Sequence, residues 1–227
     1  MTDITENISS DSAITRGYRR LMRRRCLLLL ALGAAIVGAL LLDFSLGPAG
    51  LSPSTLWQTL LHPAAAGGGV RVIVWDIRLP YALMALLVGT ALGMAGAEMQ
   101  TILNNPLASP FTLGVSSAAA FGAALAIVLG LGLPGIPASA FIPVNAFVFA
   151  LFSALLLDGL TRWARMAVSG MVLFGIALVF TFHALVSMMQ FVADEDTLQG
   201  LVFWTMGSLS RASWPNVAIL AGALGLL

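Results

Sequence analysis

The sequence is poor in charge, and one long stretch has none. Between Glu98 and Asp158 there is no Asp, Glu, Lys, Arg or His. A helix that faces water needs a polar stripe, so this stretch is unsuited to a soluble surface. One charged side chain at the centre of a bilayer costs about 2.5–3.5 kcal/mol, which explains why a membrane domain excludes charge. The sequence therefore predicts a multi-span membrane protein.

Lysine is absent, and cysteine and histidine are scarce. A P-loop needs a Gly-Lys pair for the phosphates, so this chain does not bind ATP in that way. The single cysteine, Cys26, precludes an internal disulfide, and no Cys/His cluster is present for a metal. The net charge of +1 does not indicate a nucleic-acid partner. We therefore expect no catalytic residue, no metal site and no cofactor.

The apolar residues fall into runs that are long enough to span a bilayer. The chain is 59% hydrophobic and 9% charged, against about 25% charged residues in soluble domains. We expect a disordered, Arg-rich cytoplasmic tail over residues 1–25 and one transmembrane domain over residues 26–227. A turn, GLPGIP, separates the third and fourth spans at 132–137. The predicted spans are 26–42 (extended by 44–46), 79–97, 113–131, 140–157, 166–193, and a sixth from 215 that is cut off at Leu227, as in a truncated protein.

Arginine placement predicts the orientation of these spans. Six of the eleven arginines precede the first span. If that end is cytoplasmic, Arg162 and Arg165 lie on the same side, and only Arg71, Arg78 and Arg211 lie outside. This split follows the positive-inside rule, so we expect a cytoplasmic N-terminus.

The second predicted span carries small residues on one face. Gly89 and Gly93 have GxxxG spacing, and Gly96 follows. Small residues let helix backbones approach closely in lipid. We therefore expect these three glycines to pack against another helix.

Residues 104–111, NNPLASPF, have the composition of non-helical backbone. Pro106 restricts the residue before it toward extended conformations, and Asn104 and Asn105 bond free backbone groups in turns. Such backbone at membrane depth needs shelter from protein or from a water-filled cavity. A sharp inner turn and a re-entrant element both fit this pattern. Asn104, Asn105 and Pro106 are candidate pathway or gating residues.

Two further groups are candidates for a pathway or a gate. His183 lies within the fifth span, where a packing role and a pathway-lining role are equally open. Residues 193–210 predict a short outer helix, capped by Asp194 and ended by Gly207. This helix is too short to span, so we expect it across the mouth of the bundle, as a gate or as a plain connector. Asp194 and Asp196 are its candidate gating residues.

Two segments carry a family resemblance. The first contains an RLP motif at 78–80, then a Gly-rich helix, then Gln100 and the NPLASP motif. In their order and spacing, the two segments resemble the FecCD family of ABC-importer permeases. This resemblance implies an all-α fold, a polytopic membrane helix bundle of the vitamin B12 importer permease type (type II ABC importer). The segments read IVWDIRLPYALMALLVGTALGMAGAEMQTILNNPLASPFTLGVSSAAAFGAAL at 73–125 and GIALVFTFHALVSMMQFVADEDTLQGLVFWTMGSLSRASW at 175–214.

The resemblance also implies a function and a set of partners. A permease of this family forms the translocation pathway for iron–siderophore complexes or a related metal chelate in the cell inner membrane. It works with a second permease subunit, as a homo- or heterodimer, with separate ABC ATPase subunits that hydrolyse ATP, and with an extracytoplasmic substrate-binding protein. In the family the ATPase docks after the sixth helix. Since that segment would follow Leu227, we expect this chain alone not to transport.

The resemblance assigns a docking role to one arginine. In the family, outer arginines pair with glutamates of the binding protein, and the RLP motif places Arg78 at such a position. The family often has a second arginine three residues later, where this chain has Tyr81. Only half of that docking pair is therefore present.

Two other function classes compete with a permease of this kind. An ion-coupled secondary transporter would need clustered intramembrane acids or broken helices at the midplane, and Glu98 and His183 are far apart in sequence. A membrane-embedded enzyme would need a motif such as HExxH or paired acids, and none is present.

The topology can be tested with single cysteines in a Cys26→Ser background. We expect a membrane-impermeant thiol reagent to label a cysteine at Glu195 from outside and to spare one at Ser10. Labelling of Ser10→Cys without labelling of Glu195→Cys in intact cells would reverse the orientation.

Overall fold

The computed structural model describes residues 2–45, 50–132, 135, 137–209 and 211–226. These ranges are mostly helical and contain no strand, which agrees with the all-α prediction. The chain divides into two compact units, Met1–Leu83 and Met84–Leu227. Each unit is described by itself below.

The first unit begins with a long helix, α1, over Thr2–Ser45. The expectation of a disordered tail is therefore wrong for residues 2–25. No proline interrupts the chain between its two ends, and arginine has a high helix propensity. The helix of the apolar run consequently continues back through the Arg-rich segment.

The rest of the first unit joins short helices side by side. Ser52 caps α2 (Pro53–Leu61) by accepting a bond from the backbone N–H of Thr55 at 3.2 Å. The helix α3 (Gly68–Arg71) continues into a π-helical segment, Val72–Arg78, and then into α4, Leu79–Ile102. The indole Nε1 of Trp75 donates to the carbonyl of Thr59 at 3.1 Å. This bond ties the π-helical segment to α2.

The second unit holds most of α4, from Met84 onward, and five further helices. Four helical stretches within the described ranges are long and apolar enough to cross a membrane, and α5 and α9 are shorter apolar helices. The multi-span prediction is therefore confirmed by length and composition. The helices are α5 (Val115–Val128), α6 (Ala138–Trp163), α7 (Val168–Val192), α8 (Glu195–Met206) and α9 (Trp214–Gly225). The four long stretches are Tyr18–Asp43, Gly68–Ile102, Ser139–Trp163 and Val168–Val192.

The predicted span 113–131 is longer than the helix that the structure shows. The helix α5 has 14 residues, which gives a length of about 21 Å. It starts only after Gly114, which adopts a left-handed conformation with φ 83°. The predicted turn at 132–137 lies largely outside the described residues.

The second unit is built around α5, which packs against α6, α7 and α8. Leu113, just before α5, lies against Gly175 of α7, and Phe121 of α5 contacts Phe182 further along α7. Since both contacts advance in the same chain direction, α5 and α7 run parallel. The helix α6 runs the other way, because its first half meets Gly122 while Leu157, near its end, joins the core cluster of Leu113.

Gly122 is the closest point between α5 and α6. A Cβ added there would lie 2.7 Å from the carbonyl oxygen of Asn145 and 2.8 Å from the Cβ of Phe149. The Nδ2 of Asn145 donates to the carbonyl of Gly122 at 2.6 Å. Phe149 also packs edge-to-face on Phe121, with ring centroids 5.5 Å apart. Because glycine has no side chain, Gly122 lets the backbones of α5 and α6 approach closely.

Two serine hydroxyls are buried in the same unit. Ser117 on α5 is 4% exposed and Ser153 on α6 is 0% exposed. Neither hydroxyl has a hydrogen-bond partner among the described residues. An unpaired buried hydroxyl costs about 1–3 kcal/mol. These two groups therefore do not hold the helices together in this arrangement.

The glycines predicted to pack on the second span lie on an open face. A Cβ added at Gly89, Gly93 or Gly96 would have no described heavy atom within 4 Å. The close contact of these three glycines with another helix stays a prediction. Its partner would have to come from outside the described residues, for example from a second subunit.

Gly122 and Gly89 form a matched pair for a stability test. We expect Gly122→Ala to lower the midpoint of thermal unfolding in detergent, because overpacking costs about 1–3 kcal/mol and exceeds the about 0.5–1 kcal/mol that a helical Gly→Ala change gains. Gly89→Ala should leave the midpoint unchanged or raise it. Equal effects of the two substitutions would show that the α5–α6 contact does not limit stability.

Candidate functional site: the buried loop between α4 and α5

The helix α4 ends in a short series of turns made by two asparagines. Asn104 adopts a left-handed conformation with φ 42°, which asparagine tolerates better than most residues. The backbone N–H of Asn105 donates to the carbonyl of Gln100 at 3.1 Å. Its side-chain Oδ1 accepts from the N–H of Leu107 at 3.0 Å. Asn104 therefore lets the chain turn where the helix stops, and the side chain of Asn105 supplies a partner for one backbone N–H of the loop.

Ser109 and Thr112 close the second turn of the loop reciprocally. The N–H of Ser109 donates to Thr112 Oγ1 at 2.9 Å, and the N–H of Thr112 donates to Ser109 Oγ at 3.2 Å. The Thr112 hydroxyl also lies 3.0 Å from the carbonyl of Ser109. Two short side chains thus satisfy the backbone just before α5 begins.

One side of the loop belongs to the core of the second unit. Leu103, Ala108 and Leu113 are 3%, 2% and 3% exposed, and they share one buried cluster with Leu178 and Phe182 of α7. The irregular backbone is therefore sheltered by protein, as non-helical backbone at membrane depth requires.

Two glycines set how closely the loop approaches α7. A Cβ at Gly175 would lie 2.9 Å from Leu113 Cδ2 and 3.0 Å from Leu113 Cα. A Cβ at Gly114 would lie 2.8 Å from the Cβ of Leu178. Each glycine leaves room for the neighbouring segment, so the loop and α7 meet almost backbone to backbone.

The contact with Gly175 places the end of the loop well along α7. Gly175 lies seven residues after the start of α7 at Val168, which corresponds to about 10 Å along the helix axis. The loop thus packs beside the first third of α7 instead of ending level with its first residue. Of the two forms that the sequence left open, this packing favours an inserted element.

The other side of the loop is exposed. Asn104 and Pro106 are exposed, Asn105 is half-buried, and Leu107 and Phe111 are 80% and 62% exposed. The three predicted residues 104–106 therefore lie together at one edge, next to two large apolar side chains. This edge can contact lipid, another subunit or a passing molecule.

The other predicted site residues lie elsewhere. His183 is exposed on α7, eight residues beyond Gly175, which is about 12 Å along the axis. Asp194 and Asp196 follow the far end of α7 and are exposed. The candidates are therefore distributed along α7 and do not form one site.

The short outer helix predicted from the sequence is present as α8. Asp194 is its N-cap, with Oδ1 accepting from the N–H of Thr197 at 2.8 Å, and Gly207 follows its last residue. These bonds from Thr197 hold the pKa of Asp194 below its usual value. The stabilisation of α8 by the ionised Asp194 is fully present when the pH is above the pKa of Asp194 in the unfolded chain. This stabilisation is lost as the pH falls through the lower pKa of the folded state. Leu201 is fully buried where α8 packs on α5.

Arg78 lies in the first unit, at the last position of the π-helical segment, and is half-buried. A cleft of about 570 Å³ in the same unit lies between α2 and residues 62–70. The residues that line this cleft include neither Arg78 nor any other predicted site residue, so the cleft is not part of the predicted docking site.

The sequence did not single out Gly114, Gly122, Gly175, Asn145 or the Ser109–Thr112 pair. The last of these carried a usable signal, since two hydroxyl residues at spacing i, i+3 before a Gly favour a local cap. The glycine contacts carried none, because glycines are frequent in this chain and only the fold shows which ones face a neighbour. No group of three or more His, Cys, Asp or Glu side chains that could hold a metal occurs in the ranges described above.

Comparison with known proteins adds to this geometry. The profile of the FecCD transport family matches residues 32–227, which includes the whole loop, its neighbours α5 to α8 and the RLP motif. The chain belongs to the FecCD transport family. The predicted resemblance is therefore confirmed.

Named relatives of this FecCD-family chain are permeases. It is 35% identical over 199 residues to the hemin transport system permease protein HmuU of Yersinia pestis, covering 87% of this chain and 55% of the relative. It is 34% identical over 204 residues to the vitamin B12 import system permease protein BtuC of Serratia proteamaculans, covering 90% and 57%. The chain thus spans little more than half the length of these relatives.

A solved structure has a similar fold. It shows an inward-facing conformation of a metal-chelate type ABC transporter, with a TM-score of 0.66 and 28% identity to this FecCD-family chain. The match covers 84% of this chain and 56% of the other. The predicted bundle of permease type is therefore confirmed, and the chain is a multi-pass membrane protein.

Thr112 offers a test of the loop. Thr112→Val keeps the shape of the side chain but removes the hydroxyl bonds to Ser109, each of which contributes about 0.5–1.5 kcal/mol net. We expect faster amide hydrogen exchange over residues 104–114 and a lower unfolding midpoint, while Thr112→Ser restores both. Unchanged exchange in Thr112→Val would show that packing on α7 alone orders the loop.

Proposed function

We propose that this chain forms the pathway-building part of the permease subunit of an ABC importer for metal chelates. The observation that carries the proposal is the family match over residues 32–227, which contains the loop inserted beside α7. Support also comes from the named relatives, which transport hemin and vitamin B12, and from the metal-chelate type transporter of similar fold. Hemin and vitamin B12, which these two relatives are named for, are both large organic molecules that hold a metal ion.

Within that class, we propose iron–siderophore complexes as the substrate. In this proposal the permease sits in the cell inner membrane with its N-terminus in the cytoplasm. It pairs with a second permease subunit, receives the chelate from an extracytoplasmic binding protein, and is driven by separate ATPase subunits. This chain supplies helices and a gating loop and has no part in hydrolysis.

Uptake by the reconstituted transporter tests the proposed function. A permease that contains this sequence and the ATPase-docking segment is incorporated into proteoliposomes with its ATPase and binding-protein partners, and radioactive iron–siderophore, haem and cobalamin are offered in parallel. We expect uptake of the iron–siderophore complex that requires ATP hydrolysis and continues when an ionophore collapses ion gradients. Uptake of another chelate alone would reassign the substrate, and uptake that follows an ion gradient without ATP would favour a secondary transporter.

Arg78 is proposed to dock the binding protein by charge. Arg78→Glu in the assembled permease should weaken association with the binding protein, because it would place two like charges together at the rim of the contact. We expect at least about a tenfold loss of affinity at low salt. The loss should shrink as salt rises, since the Debye length falls to about 3 Å at 1 M.

The neighbouring Arg71→Glu is the matched control. Arg71 is an exposed arginine in the same unit, and its substitution makes the same change of net charge outside the RLP motif. A Glu→Arg change on the binding protein should restore part of the affinity to Arg78→Glu and none to Arg71→Glu. If both variants weaken association equally, the effect is one of overall charge and the docking role of Arg78 fails.

A further inference from the structure

The middle of α1, at residues 18–25, has one strongly basic face just before the apolar run. In a helix with 3.6 residues per turn, successive side chains are rotated by about 100°. Within residues 18–25, four arginines therefore fall in an arc of about 140°, and Tyr18, Leu21, Met22 and Arg25 fall on the opposite side. All eight side chains are exposed. The four arginines, called the arginine face below, are Arg19, Arg20, Arg23 and Arg24.

No acidic side chain in the described part of the chain forms an ion pair with the arginine face. No acidic residue occurs between Asp11 and Asp43. The one ion pair found among the described residues joins Arg162 to Asp158, far along the sequence. Each guanidinium has five N–H donors in a planar fork that fits phosphate and carboxylate oxygens. The arginine face therefore presents four cationic forks on one side of a helix, none of them paired with an acid that the structure describes.

The position of the face along α1 places it at the level of lipid headgroups. The apolar run at 26–42 begins directly after Arg25. The headgroup layer adds about 5–7 Å on each side of a hydrocarbon core of about 30 Å. Residues 18–25 occupy about 12 Å of helix, and arginine side chains reach back along a helix to the interface. Four guanidinium groups thus share the depth of the phosphates.

We propose that the arginine face of α1 is a binding site for anionic phospholipid headgroups. Charge complementarity favours a phosphate ligand, and the other face of the same eight residues favours a lipid over a soluble anion. Tyr18, Leu21 and Met22 are 62%, 57% and 42% exposed, and an acyl-chain boundary gives these apolar side chains a partner that free phosphate does not. The site holds residues 18–25 of α1 at the membrane surface, whichever side of the membrane they face.

Lipid titration of the purified chain tests this site. The chain in neutral detergent is titrated with phosphatidylglycerol and with phosphatidylcholine of the same acyl composition, and bound lipids are counted by native mass spectrometry. We expect phosphatidylglycerol to bind at least about tenfold more tightly, because each arginine near a surface adds to the attraction for anionic lipid. Added salt should reduce this preference.

Two variants with the same change of charge separate the site from net charge. The first removes the arginine face and should abolish the preference for phosphatidylglycerol. The second removes four exposed arginines elsewhere and should keep the preference within about twofold, because the site itself is intact. The first variant is R19Q/R20Q/R23Q/R24Q and the second is R71Q/R162Q/R165Q/R211Q.

Other outcomes would overturn the proposal. Equal loss in the two variants would assign the effect to net charge, and equal affinity for the two lipids would remove the site. Displacement of phosphatidylglycerol by millimolar inorganic phosphate would indicate a site for free anions instead of lipid. If R19Q/R20Q/R23Q/R24Q loses its helical circular dichroism or its monodisperse elution, the pair R23Q/R24Q is measured in its place, with at least about a threefold loss expected.

Discussion

The second unit depends on one constraint, which is that backbone polar groups in hydrocarbon must find partners inside the protein. A helix meets this constraint by itself, but the stretch from Leu103 to Gly114 is not a regular helix. Part of its bonding comes from turns of the backbone, and the rest comes from the side chains of Asn105, Ser109 and Thr112. The buried leucines and alanine of the same stretch then exclude water from one side. Without these local bonds, the close packing of the loop on α7 would leave orphaned donors, each at a cost of about 1–3 kcal/mol.

Close packing between helices in the second unit depends on glycines, which have no side chain to keep the backbones apart. Gly122 lets α5 approach α6, and Gly175 and Gly114 let the loop approach α7. In lipid there is no hydrophobic driving force between helices, so short contact distances and interhelical hydrogen bonds must stabilise the bundle. At Gly122 a close backbone approach and an interhelical hydrogen bond occur together, because Asn145 donates to the carbonyl of Gly122. The aromatic rings of Phe121, Phe149 and Phe182 extend that contact toward α7.

Much of the architecture could be read from the sequence, because lipid imposes strong rules on composition. Charge exclusion predicted the spans, and the capping residue Asp194 together with Gly207 predicted α8 within one or two residues. The predicted span 113–131 extends two residues before α5 and three residues beyond it, because the left-handed Gly114 and the Ser109–Thr112 turn delay the start of the helix in a run that is uncharged throughout. Packing glycines were missed for a different reason. Spacing in sequence selected Gly89 and Gly93, whereas the close contacts depend on which face a fold turns toward its neighbour.

The short length of α5 has a consequence for how the bundle responds to its solvent. At about 21 Å, α5 is shorter than a hydrocarbon core of about 30 Å. The loop extends it at one end, and α8 packs on it. Hydrophobic mismatch acts on helices whose ends meet the lipid–water boundary, and in this unit α6 and α7 are long and apolar enough to reach both boundaries. A thinner or thicker bilayer would therefore tilt the outer helices around α5 while leaving α5 itself almost unaffected. The position of α5 in the bundle thus depends little on the thickness of the membrane.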